Sequence, residues 1–320
     1  MFIGKLQRAI LETLSYSDIF EYPLRLEELH RYLTLHTNVE QLTDVLESLN
    51  GQVGRQAGFY FLAGHGAIVE TRKQRQTRAE KLFPFAWRYG RALGQLPFVR
   101  MVALTGSLAV MNVSDRADFD YLLVTESGRL WTARAFAVLF GRILRLSGHT
   151  ICVNVLVSEA ALSWPQHDLY SARELCQMIP ITGMEVYHHL RQANAWTESF
   201  LPNCGPSSPK VAQRPEQRES NPIQHILEAP LRGARGQGLE RWAMSFQLRQ
   251  IQRRPGASDE TNFSTDVCQA NFHQHRKSVG EAFQQRLNQL NNNSHATPVL
   301  KETFLSREAK TGGTVKVSKQ

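Results

Sequence analysis

Between Pro97 and Ser158 the chain has few ways to fold. Val99 to Leu104 is a short apolar, β-prone run that ends in Thr105-Gly106-Ser107. A second apolar run, Tyr121 to Val124, is entered through Asp118-Phe119-Asp120. Gly128 to Leu146 then reads as an apolar helix closed by Gly148, and Ile151 to Val157 as a third strand. Strand, turn, strand, helix and strand in close succession predict an α/β (α+β) unit, a small mixed sheet with flanking helices.

The punctuation of this unit carries chemistry. A Gly-Ser turn after a strand lets the backbone approach a phosphate and exposes N–H groups beside one hydroxyl. Residues two apart on a strand point to the same side. Asp118 and Asp120 therefore present two carboxylates to one point, while Phe119 turns into the core. Paired hard oxygens suit Mg²⁺ or Mn²⁺, with substrate phosphate oxygens and water completing the shell. Gly106 and Ser107 would then grip a nucleoside triphosphate, and the aspartates would hold the metal that bridges it. That division suits phosphoryl or nucleotidyl transfer, where positioning and charge neutralisation supply most of the catalysis. A Gly-Ser or an Asp-x-Asp alone is only a turn or a strand end; the specificity comes from having each at the end of a predicted strand.

Three stretches, Val102 to Ala109, Asp118 to Val124 and Leu130 to Arg134, resemble the DNA polymerase β-like nucleotidyltransferase superfamily. They are most similar to its minimal bacterial and archaeal members with an N-terminal winged-helix-like module. The likeness covers roughly the first 200 residues. It implies a metal-bound nucleoside triphosphate, ATP or another, and transfer of its nucleotidyl group to an acceptor hydroxyl on a small molecule, protein or RNA. Asp118 and Asp120 would be the catalytic, metal-holding pair, and Gly106, Ser107 and Arg134 would contact phosphates. Catalysing members usually add a third carboxylate on the following strand. Here that strand reads Ile151-Cys152-Val153-Asn154-Val155-Leu156-Val157, with Asn154 in the corresponding place. An amide oxygen ligates a metal weakly and takes no proton at neutral pH. The alternative is therefore a nucleotide-sensing or DNA- or protein-binding regulator with a degenerate transferase site.

Residues 1–66 read as three helices and a hairpin, a winged-helix-like pattern. Its third helix carries Glu40, Asp44 and Glu47 and no cation, a surface that repels phosphates, so the module is expected to dock a protein or a second copy rather than DNA. Residues 67–96 form a helical connector with a run of cations, Arg72 to Lys81. Residues 97–203 hold the core and its following helices, 204–290 a partly helical basic region, and 291–320 a polar tail read as disordered.

Charge follows this division. The net charge is +8. Met1 to Asn203 holds 20 Lys and Arg against 19 Asp and Glu, and the remainder 17 against 10. The basic excess thus lies in the last third, where it can attract nucleic acid or serve solubility. Arg142 and Arg145 interrupt the longest apolar stretch, so no membrane span is expected. Residues 1–20 lack the continuous apolar run of a signal peptide. Four dispersed cysteines fit no zinc ribbon. A cytoplasmic protein is the expectation.

Overall fold

The computed structural model describes residues 2–115, 118–146, 148–205, 222–253, 261–270 and 275–293. The tail from 294 onward, read from sequence as disordered, lies outside these residues.

Three helices open the chain: α1 (Phe2–Asp18), α2 (Leu26–Arg31) and α3 (Val39–Ser48). The Asn38 side chain caps α3 by accepting from the Gln41 N–H at 2.8 Å. The hairpin β1 (Val53–Gln56) and β2 (Phe59–Leu62) follows. Leu6, Ile10, Leu14, Leu29, Leu42 and Leu46 from the helices close over Tyr60 of β2, forming one apolar cluster. Glu40, Asp44 and Glu47 all face solvent on α3.

The connector is a single helix, α4 (Ile68–Gly94). Its cations are not a free wall. Arg72 donates to Glu28 and to the Val110 carbonyl, each at 3.0 Å, and lies 3.9 Å over the Tyr22 ring. Arg75 holds Glu21 and the Phe20 carbonyl. Arg78 holds Asp115 and the Val113 carbonyl. The same row of arginines binds the first module on one side and the segment after Gly106-Ser107 on the other.

The central sheet has six strands in the order β6-β3-β4-β5-β8-β7. They are β3 (Val99–Leu104), β4 (Asp118–Thr125), β5 (Thr150–Ser158), β6 (Ile179–Thr182), β7 (Thr261–Phe263) and β8 (Val267–Ala270). Only β4 and β5 run parallel; the other neighbours are antiparallel. The parallel pair needs a crossover, and α6 (Leu130–Arg145) supplies it. The chain between β3 and β4 holds the single-turn α5 (Gly106–Ala109).

Two cores cover the two faces. Phe119, Tyr121 and Leu123 meet α4, α6 and α10 (Gly233–Gln252) through Ala86, Trp131 and Ala243. Leu122 and Val124 meet α7 (Leu169–Gln177) and α8 (Met184–Ala193) through Leu175, Tyr187 and Leu190. Short 3₁₀ turns follow, Ala195–Ser199 after α8 and Ala229–Leu231 after the helix α9 (Pro222–Glu228). The last helix among the described residues, α11 (His275–Asn293), packs on α1 and α7; Arg286 pairs with the buried Asp18 at 2.8 Å.

The mixed α/β architecture expected from the sequence is present. Two features are additional. The strand β6 supplies one edge of the sheet, and the hairpin β7–β8 extends it beyond β5, so residues 204–290 are not simply an appended helical region. No helix among the described residues is long and apolar enough to cross a membrane.

Candidate functional site

The site is the corner where β3 ends and β4 begins. The Thr105 N–H donates to the Asp120 carbonyl at 2.9 Å, so the turn stays laced to the neighbouring strand. Gly106 has φ of +63°, and a β-carbon there would fall 2.5 Å from Asp120 Oδ2. Only glycine permits both the left-handed backbone and this approach. Ser107 is exposed, and its carbonyl accepts from the Asn112 N–H at 2.8 Å. The loop beyond is tied down by Arg72, Arg78 and the Tyr22 hydroxyl, which donates to the Val110 carbonyl at 2.9 Å.

On β4, exposure alternates as the pleat requires. Asp118 is exposed and Asp120 partly buried, while Phe119 is buried on the opposite face. Parallel pairing sets Thr150 opposite Asp118 and Cys152 opposite Asp120. Cys152 feels the charge of both aspartates. The register then slips: Tyr121 pairs with Val153 but Leu122 with Val155, leaving Asn154 unmatched on β4. Cys152, rather than Asn154, is thus the β5 residue that stands beside Asp120 in the ladder; the Asn154 side chain lies outside the described ones.

One carboxylate of a neighbouring helix feels the Asp120 charge: Glu174 of α7, whose Oε1 accepts from Gln177 Nε2 at 2.5 Å. Burial, then Asp118, pushes the Asp120 carboxyl up to about 7. Burial, then Asp120, pushes Glu174 up to about 7. Burial with both aspartates pushes the Cys152 thiol up to about 12, with Arg145 opposing. Burial leads in each case, and a neighbouring carboxylate adds to it: Asp118 for Asp120, Asp120 for Glu174, and both aspartates for Cys152. Among the described residues, no group of three or more His, Cys, Asp or Glu side chains is arranged to hold a metal ion. The corner offers two adjacent carboxylates, which fits a hard cation that takes its other oxygens from substrate and water.

Arg134 is not brought to this corner. It lies one turn into α6, which follows the far end of β4, donates to Gln247 Oε1 at 2.5 Å and sits beside the Cys268 thiol. Cys268 pairs with Leu156, which pairs with Leu123, five residues along β4 from Asp118. At about 3.3 Å per residue that is some 16 Å along the strand. Trp131 is fully buried core, its indole N–H on the Ser264 carbonyl.

Sequence reasoning missed Glu174 and Cys152. Glu174 lies in a stretch correctly read as helical, but nothing in its spacing marks it as facing Asp120. Cys152 carries a faint signal, being two residues into a strand expected to lie beside β4.

No family model, curated protein or solved structure matches this chain.

Proposed function

We propose that the Gly106–Asp120 corner binds a nucleoside triphosphate with Mg²⁺ or Mn²⁺ and transfers its nucleotidyl group to an acceptor hydroxyl. The observation that carries this reading is how near the Asp120 carboxylate lies to Gly106, leaving no room for a β-carbon there, with Asp118 on the same strand face. A phosphate-approaching turn and a carboxylate pair thereby share one point. The likeness to the polymerase β-like superfamily in the same stretches supports it.

In this reading Asp118 and Asp120 hold the cation, which neutralises triphosphate charge when bound. The backbone N–H groups at Gly106 and Ser107, with the Ser107 hydroxyl, orient the phosphates. Glu174, whose carboxyl is raised by burial and by Asp120, would take the proton of the acceptor hydroxyl. The hydroxyl oxygen bonds to the α-phosphorus and pyrophosphate leaves. Arg134 has no part in this scheme.

Calorimetric titration of each triphosphate with Mg²⁺, run beside Asp118→Ala/Asp120→Ala and followed by incubation with labelled triphosphate and cell extract, tests it. We expect binding by the wild type alone, and a labelled product. Equal binding by wild type and double variant overturns the reading. One feature favours a second reading, nucleotide sensing without turnover. A protonated thiol, Cys152, rather than a carboxylate, lies beside Asp120 on β5. Wild-type binding with no labelled product from any triphosphate would select it.

A further inference from the structure

The helix α10 is built asymmetrically. Its inner side packs on α6 and the sheet through Ala243, Gln247 and Ile251. The Glu240 carboxylate also turns inward, where it accepts from the Trp131 and Thr132 N–H groups at 2.7 and 2.8 Å. Positions 235, 242, 246, 249 and 253 are spaced by seven, four, three and four residues, which places them along one side of a helix. They are Arg235, Trp242, Phe246, Arg249 and Arg253, and all five are exposed. The two aromatic rings lie 5.3 Å apart at 9° between planes, with Trp242 58% and Phe246 42% exposed. A stacked aromatic pair left in water loses hydrophobic stabilisation it would gain if covered. With Glu240 spent on α6, this face carries cations and, among the described residues of α10, no carboxylate.

We propose that this face of α10 binds single-stranded RNA. Unpaired bases stack on Trp242 and Phe246, which accept any base because every base has a π-face. Arg235, Arg249 and Arg253 flank the rings along the helix and meet the backbone phosphates. The charge complementarity is with a polyanion. Duplex is disfavoured because its bases are already stacked on each other. RNA is chosen over single-stranded DNA because Gln250, one turn beyond Phe246, adds an amide that can pair with a 2′-hydroxyl. The surface is separate from the triphosphate corner: α10 covers the sheet face of Phe119, whereas Asp118 and Asp120 point to the other face. The proposal therefore does not depend on the transferase reading.

The test is fluorescence anisotropy of the full chain with a labelled unstructured RNA 12-mer, the same sequence as DNA, a hairpin duplex and, separately, anionic phosphatidylserine vesicles. Trp242→Ala/Phe246→Ala should weaken RNA binding at least tenfold with unchanged melting temperature. Arg235→Gln/Arg249→Gln/Arg253→Gln should lower the slope of log affinity against log salt by about 2, as loss of three phosphate contacts on a single strand requires. Asp118→Ala/Asp120→Ala should bind RNA like the wild type, which keeps failure of this proposal distinct from failure of the transferase reading. Unchanged affinity in both α10 variants overturns the proposal. So does preference for duplex or DNA, or binding to vesicles without binding to RNA.

Discussion

Asp120 concentrates the physical tension of the site. Its carboxyl is raised to about 7, above the ordinary value near 4, by burial and by Asp118. The folded state therefore keeps a proton that the unfolded chain releases between about pH 4 and 7, and this contribution to stability fades as pH rises through that window. Asp120→Asn removes the ionisation. It should raise the thermal midpoint at pH 8, by an amount equivalent to about 1–3 kcal/mol, and change it little at pH 4. Melts at both pH values check this; an equal shift at each would mean that charge is not the cause. Gly106 makes a second prediction. Gly106→Ala must displace Asp120 Oδ2 and strain a backbone of φ +63°, so it should cost about 1–2 kcal/mol. Chemical denaturation reads the cost, and Mg²⁺-triphosphate titration should show weakened binding.

At the scale of elements, the corner is held from behind. Arg72 is nearly fully buried, and it joins the Glu28 carboxylate on α2, the Tyr22 ring and the Val110 carbonyl. Arg72→Ala leaves Glu28 and Val110 without their cation and should destabilise by about 2–4 kcal/mol. Urea melts measure this, and a loss under 1 kcal/mol would show that the arginine is not a tie. The start of α6 is held in a similar way. Glu240 of α10 meets its first N–H groups and the Thr132 hydroxyl, doing from another helix what a local cap does elsewhere. Glu240→Ala should cost about 1–2 kcal/mol. The module that opens the chain is engaged within the molecule. Arg31 donates to the Cys176 carbonyl, and the Thr37 N–H to Asn203. Arg173 of α7 is wedged between the Tyr16 and Tyr32 rings at 4.7 and 4.2 Å.

At the scale of the whole molecule, the sheet is completed by distant sequence. The strand β8 covers the edge of β5, and α10 covers α6. Glu228, fully buried, accepts from the Phe98 N–H and pairs with Arg100 and Arg232, which also hold Glu126. A chain ended after Gly205 would expose the β5 edge and the apolar side of α6, and strand edges of that kind pair with other chains. We expect that truncation to aggregate or to lose a cooperative melt. A soluble, cooperatively melting product would show that the first 205 residues fold independently.

The order of helices and strands from Phe2 to Val157, and the two helices that follow, was legible because it rests on local periodicity and local punctuation, whereas the short strand β6 between those helices was not. Leu6, Ile10 and Leu14 repeat at helical spacing, Asn38 caps the helix after it, and β3, β4 and β5 are dense in β-prone residues. The carboxylate pair was legible for the same reason, since two residues apart on a strand always share a side. What the tertiary structure alone decided depends on pairing between distant segments. Ladder register, which sets Asp118 opposite Thr150, put Cys152 beside Asp120, and the bulge that leaves Asn154 unmatched comes only after Tyr121 and Val153. The packing of α7 over Leu122 and Val124 brought Glu174 within reach of the Asp120 charge. The direction of the crossover carried Arg134 away from it. The weakly periodic stretch at Thr261 to Ala270 became two strands because β5 offered an open edge, and a free edge is satisfied only by another part of the chain.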